Sequence, residues 1–103
     1  MAKKLLKPRK PIPKKGSKII CLDDIQYRWI AYATQKGTEV RVVYNEAIDG
    51  QMLVAQVPKV FDLRWLEKMI DYGLENGWDP SIGADEFTIR KTKESYRIIT
   101  DED

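Results

Sequence analysis

The sequence contains no histidine, so the side chain most often used as a general base near neutral pH, and a common metal ligand, is missing. It has a single cysteine, Cys21, which excludes a disulfide within the chain and fits a reducing compartment. That cysteine lies in an apolar run with no histidine to activate it, and it is expected to be a small buried hydrophobe. No apolar run approaches the ~18–20 residues that span a bilayer. The N-terminus is basic, but its apolar runs are only two residues long, so it lacks the apolar region of a signal peptide. A cytoplasmic protein without membrane contact is the expectation. The six glycines are scattered singly, and no phosphate-binding loop occurs. The close carboxylates are Asp23-Asp24, Asp85-Glu86 and the terminal Asp101-Glu102-Asp103. Adjacent strand residues point to opposite faces, so such pairs converge poorly on one ion or substrate. No catalytic residue, metal ligand or cofactor site is expected, and an enzyme is not.

What is present fits one soluble-type domain. The 43% hydrophobic and 33% charged fractions rule against global disorder, and 103 residues suffice for one core. The formal charge of +2 hides an asymmetry. Residues 1–15 carry seven cations (Lys3, Lys4, Lys7, Arg9, Lys10, Lys14 and Lys15) and no acid. The remainder holds eleven Lys/Arg against all 16 Asp/Glu, a net charge of −5. Residues 1–16, with Pro8, Pro11 and Pro13, read as a flexible basic Pro/Lys-rich tail of partly polyproline II character. Residues 17–103 read as a single α+β domain.

Within that domain the hydrophobic period is first two, then 3.6. "KIICL" and "IQYRWIAYA" flank Asp23-Asp24, a two-residue hairpin turn. In the second strand Tyr27 and Trp29 fall on the core face, with Ile30 and Tyr32 on the other. "TEVRVVYNEA" turns Val40, Val42 and Tyr44 inward and Arg41 and Val43 outward, and "QMLVAQV" is stopped by Pro58. Asp62 is the expected N-cap of a helix running to Asn76, with Phe61 packing back as a staple. The polar residues Arg64, Glu67, Lys68, Asp71 and Glu75 share one helical face, leaving Trp65, Leu66, Met69, Ile70 and Leu74 for the core. "EFTIRK" and "SYRIIT" add further strands. The expected fold is an antiparallel meander of about five strands with one amphipathic helix packed on one face.

The helix ends in Glu75-Asn76-Gly77-Trp78-Asp79-Pro80. Glycine just past the last turn terminates helices in the left-handed conformation, the next residue folds back, and proline blocks resumption. Trp78 is expected against Gly73 and Tyr72, and Asp79 is left without a structural task. The early Tyr27-x-Trp29, the Val57-Pro58 hinge and this helix end resemble a loose group of small uncharacterised bacterial proteins. Their members read Y-x-W and then A-L-x-x-G-W-D/N-P; Gly73 stands here at the usual alanine, and the segment between hinge and helix is short. The resemblance covers about residues 17–90 and implies a compact α+β fold with no assigned activity.

Three functions follow as expectations. The first is a non-catalytic protein-binding module of accessory, immunity or phage-inhibitor type. It would use the apolar strip Ile30, Tyr32 and Val43, unless a strand, the tail or a partner covers that strip. The second is a nucleic-acid-associated protein using the cations of residues 1–15 as an electrostatic arm. The tail's lack of aromatics and the negative body count against it. The third is a small-molecule binder between sheet and helix. A protein partner is expected in the first case, a homodimer being one form of it.

Overall fold

The computed structural model describes residues 12–13, 15–47 and 49–99, which build one six-stranded sheet and one helix. Strands β1 (Lys18–Leu22), β2 (Ile25–Thr34), β3 (Gly37–Tyr44) and β4 (Leu53–Val57) are rich in β-branched and aromatic residues, and neighbours among these four pair antiparallel. Asp23 and Asp24 make the first turn with positive φ at both positions, 53° and 66°. That combination matches the twist of the flanking strands in a two-residue hairpin.

The expected meander stops at β4. From Pro58 the chain crosses the sheet as helix α1 (Arg64–Glu75) and re-enters as β5 (Phe87–Lys91), which pairs with β4 in parallel. Strand β6 (Tyr96–Ile99) then lies antiparallel to β5 at the edge. The sheet is therefore mixed, in sequential order β1 to β6, rather than antiparallel with about five strands. A 12-residue helix spans ~18 Å. That length returns the chain to the end where β4 begins, so a parallel strand is the direct continuation.

One sheet face carries the main core. Tyr27, Trp29, Val40, Val42, Leu53, Ala55, Val57 and Ile89 meet Leu66, Met69 and Ile70 of the helix, together with Trp78. Burying each large apolar side chain contributes on the order of 1.5–3 kcal/mol. The helix presents Leu66, Met69, Ile70 and Gly73, while Leu74 is 41% exposed. Leu74 flanks the stripe that touches the sheet, which corrects its expected place in the core. The N-cap is Leu63 rather than the expected Asp62, which stands one position before it and whose carboxylate accepts from the Arg64 backbone N–H at 2.8 Å in a local turn. Phe61 packs edge-on against Trp65 and Trp29, with ring centroids 6.3 and 6.0 Å apart.

The helix stops as its sequence requires. Gly77 has φ +114°, and the Trp78 N–H donates to the Gly73 carbonyl at 2.9 Å. A Cβ at Gly73 would lie 3.0 Å from Trp78 Cε3 and 3.2 Å from Leu53 Cδ1, so any larger residue there would push the indole or the leucine aside by a few tenths of an ångström. The indole stacks toward Tyr27, at 6.0 Å between centroids, and not on Tyr72, whose ring pairs with Tyr96 at 5.6 Å.

The second face has its own smaller core of Ile12, Ile30, Val43, Met52 and Val54. Ile12 is 5% exposed, so the segment expected to be a free tail includes a core residue.

Candidate functional site

Strand direction sorts the connections into two ends. The β1–β2 turn, the β3–β4 loop and the loop from α1 to β5 lie together at one end. They carry the exposed carboxylates Asp23, Asp24, Glu46, Asp49, Asp79, Asp85 and Glu86, and no lysine or arginine. The β2–β3 turn, the β4–α1 connection and the β5–β6 turn lie at the other end. Lys36, Lys59, Arg64, Arg90, Lys91, Lys93 and Arg97 gather there with Glu39, Asp62 and Glu94. The body is thus polarised from end to end, a property invisible in its net charge.

The acidic end is tightly organised by Gln51. Its backbone N–H donates to the Ile82 carbonyl, its side-chain amide donates to the Asp85 carbonyl at 2.8 Å, and its Oε1 accepts from the Asp79 N–H at 2.8 Å. Its carbonyl accepts from Trp78 Nε1 at 2.9 Å. Asp79 gains the task the sequence left open. It accepts from the Ser81 hydroxyl at 2.6 Å and the Ser81 N–H at 3.0 Å, and these bonds hold its carboxyl below the usual carboxylate range. A cleft of about 480 Å³ lined by Cys21, Asp24, Ile25, Gln26, Tyr44 and Glu46 lies here. Cys21 is exposed, not buried as expected, because β1 is an edge strand and Cys21 points to the face away from the helix. Among the described residues, no group of three or more Cys, Asp or Glu side chains is placed to hold a metal ion.

The basic end joins the sheet face opposite the helix. Alternation puts Arg28, Arg41, Arg90 and Arg97 on that face with Glu39 as the one carboxylate of the six strands there. The register aligns Tyr32, Glu39, Gln56, Arg90 and Arg97 in one row across five strands. Arg90 Nε donates to Gln56 Oε1 at 3.0 Å. Arg41 Nε donates to Glu39 Oε2 at 2.6 Å and its guanidinium lies 5.6 Å from the Tyr32 ring centroid. An open cleft of about 390 Å³ runs beside this row, lined among others by Lys36, Thr38, Glu39, Gln56, Val57 and Arg90. Its two cations outnumber its one carboxylate, Glu39, which is paired with Arg41.

Two cations at this end have structural surroundings. Lys91 Nζ lies over the rings of Trp65 and Tyr96, at 5.2 and 5.7 Å from their centroids. Arg64 pairs with Asp62 at 2.8 Å, a contact that holds the Asp62 carboxyl below its ordinary range. Tyr96 donates to the Trp65 carbonyl at 3.3 Å, and burial pushes its hydroxyl up to about 12.

The expected strip divides. Ile30 and Val43 are buried at 9% and 0% exposure beneath Ile12, so they offer no open surface, while Tyr32 remains 41% exposed. Of the expected tail cations, Lys15 is described and exposed; Lys3, Lys4, Lys7, Arg9, Lys10 and Lys14 lie outside the described residues. Strand alternation could have pointed to Arg28 and Arg41, but the loop clusters needed the topology. Comparison with protein-family models, with curated proteins and with solved structures finds no match for this chain.

Proposed function

We propose that this chain is a non-catalytic binding protein whose partner is nucleic acid, held by the basic end, the arginine-bearing sheet face and the N-terminal cations. The observation that carries this reading is the segregation of charge. A polyanion drawn to the basic end stays away from the seven carboxylates of the opposite end, so the negative total of the body does not oppose capture. Ile12 is seated on the arginine-bearing face, so the N-terminal segment meets the body on that side at Ile12. Phosphate contacts of this kind give salt-dependent affinity without sequence preference.

Fluorescence anisotropy of labelled DNA, titrated over a potassium chloride series, tests the reading. Affinity should fall linearly with salt on logarithmic axes. Arg90→Gln and Lys36→Gln should each reduce the slope by about one. Deleting residues 1–11, which retains Ile12, should reduce it by several more. A slope indifferent to all three changes would falsify the proposal.

A protein partner is the second reading, favoured by the edge strand β1, where Ile19 is 47% exposed, with Ile25 at the start of β2 39% exposed. Such an edge accepts an added strand. Ile19→Lys should block that pairing and leave DNA affinity intact.

A further inference from the structure

Resting on the nucleic-acid reading, we infer that the bound form is a single strand laid across the sheet, with a base stacked on Tyr32 and phosphates at Arg90, Arg97 and Lys36. Three observations converge on this. The first is shape. The row from Tyr32 to Arg97 crosses five strands, which at ~4.8 Å per strand is ~19 Å. An extended single strand can follow a row of that length.

The second is chemistry at one end of the row. Tyr32 is 41% exposed on a face whose apolar centre is otherwise closed by Ile12. The Arg41 guanidinium lies over the ring, 5.6 Å from the centroid, and so takes one of its faces. A base stacks on the face that Arg41 leaves open, or on the guanidinium plane itself. This supplies the aromatic that the basic N-terminal segment lacks.

The third is the order of groups. Tyr32 is followed by Glu39, whose charge Arg41 balances at 2.6 Å, then by Gln56, Arg90 and Arg97. The open cleft lined by Lys36, Glu39, Gln56 and Arg90 lies alongside. Stacking is thus at one end and phosphate neutralisation at the other. Glu39 is the one carboxylate of the strands in the path, so Glu39→Gln should tighten binding of every anionic strand.

Anisotropy titrations compare a labelled oligothymidylate, a hairpin duplex of equal phosphate count, and poly-glutamate as a polyanion without bases. The wild type should prefer the single strand. Tyr32→Ala should weaken single-strand binding by about tenfold with an unchanged salt slope and leave the duplex unaffected. Tyr32→Phe should behave as wild type, because the ring and not the hydroxyl is used. Arg90→Gln should weaken both nucleic acids and lower the slope. Equal affinity for single strand and duplex, or a silent Tyr32→Ala, overturns the inference while the nucleic-acid reading stands. Poly-glutamate bound as tightly as DNA, or no salt-dependent DNA binding, overturns both. Tyr32 is at the surface, so a matching thermal melt confirms that its variants fold.

Discussion

Trp78 Nε1 donates to the Gln51 carbonyl at 2.9 Å, tying the exit of the helix to the chain entering β4, across 27 positions of sequence. The indole is 2% exposed and the rest of Gln51 fastens the loop that follows it. Trp78→Phe keeps an aromatic ring but removes the donor and leaves an acceptor unsatisfied. It should destabilise the fold by about 1–3 kcal/mol, read as a lower urea midpoint with an unchanged m-value. A midpoint equal to wild type would show that the bond contributes nothing.

The helix and its stop were legible because their determinants are local: the polar face from Arg64 to Glu75, Gly77 to turn, Trp78 to fold back. The pairing of β2 with β3 was legible too, through alternation about a short turn. The direction of β5 was not, since Phe87 and Ile89 alternate alike in parallel and antiparallel strands. Ile12 was missed because it stands alone between prolines and lysines, with no period to mark it. The charged ends were missed for a related reason. Asp23 and Glu46 share an end through the antiparallel pairings, but Asp85 joins them only because of the parallel crossover.

Ile12 closes the second core over Ile30, Val43, Met52 and Val54. Removing it should cost about 1.5–3 kcal/mol and open an apolar surface on the sheet. Two truncations separate this role from the charge of the N-terminal segment. Deleting residues 1–11 should leave the melting temperature nearly unchanged, whereas deleting residues 1–15 should lower it and raise binding of a hydrophobic dye. Equal melting temperatures for the two truncations would remove Ile12 from the core.

The first hairpin holds two aspartates in left-handed backbone, with φ of 53° and 66°. Each non-glycine residue there carries strain of about 1–2 kcal/mol, although aspartate tolerates the region better than most. Asp24→Gly supplies the Asp-Gly pair such a turn favours, and it removes one of the clustered charges at the acidic end. A gain of about 1 kcal/mol is expected in chemical denaturation. A loss of stability would instead assign Asp24 a contact that outweighs its backbone strain.

Tyr96 gives the fold an alkaline limit. Burial raises its hydroxyl from an ordinary 10.0 to about 12, so the folded state holds the proton more tightly than the unfolded chain. The stability linked to that proton is fully present below pH 10.0 and disappears as pH rises towards about 12. Tyr27, raised in the same direction by burial and then by Tyr44, adds to the effect. Tyr96→Phe keeps the ring against Tyr72 but has nothing to ionise. Its bond to the Trp65 carbonyl is long, at 3.3 Å, so its loss should shift stability by only a small constant below pH 10. Urea midpoints measured from pH 8 to 12 should therefore converge, the wild type falling more steeply than the variant above pH 10. Parallel curves across that range would mean that the hydroxyl is no harder to ionise in the folded protein than in the unfolded chain.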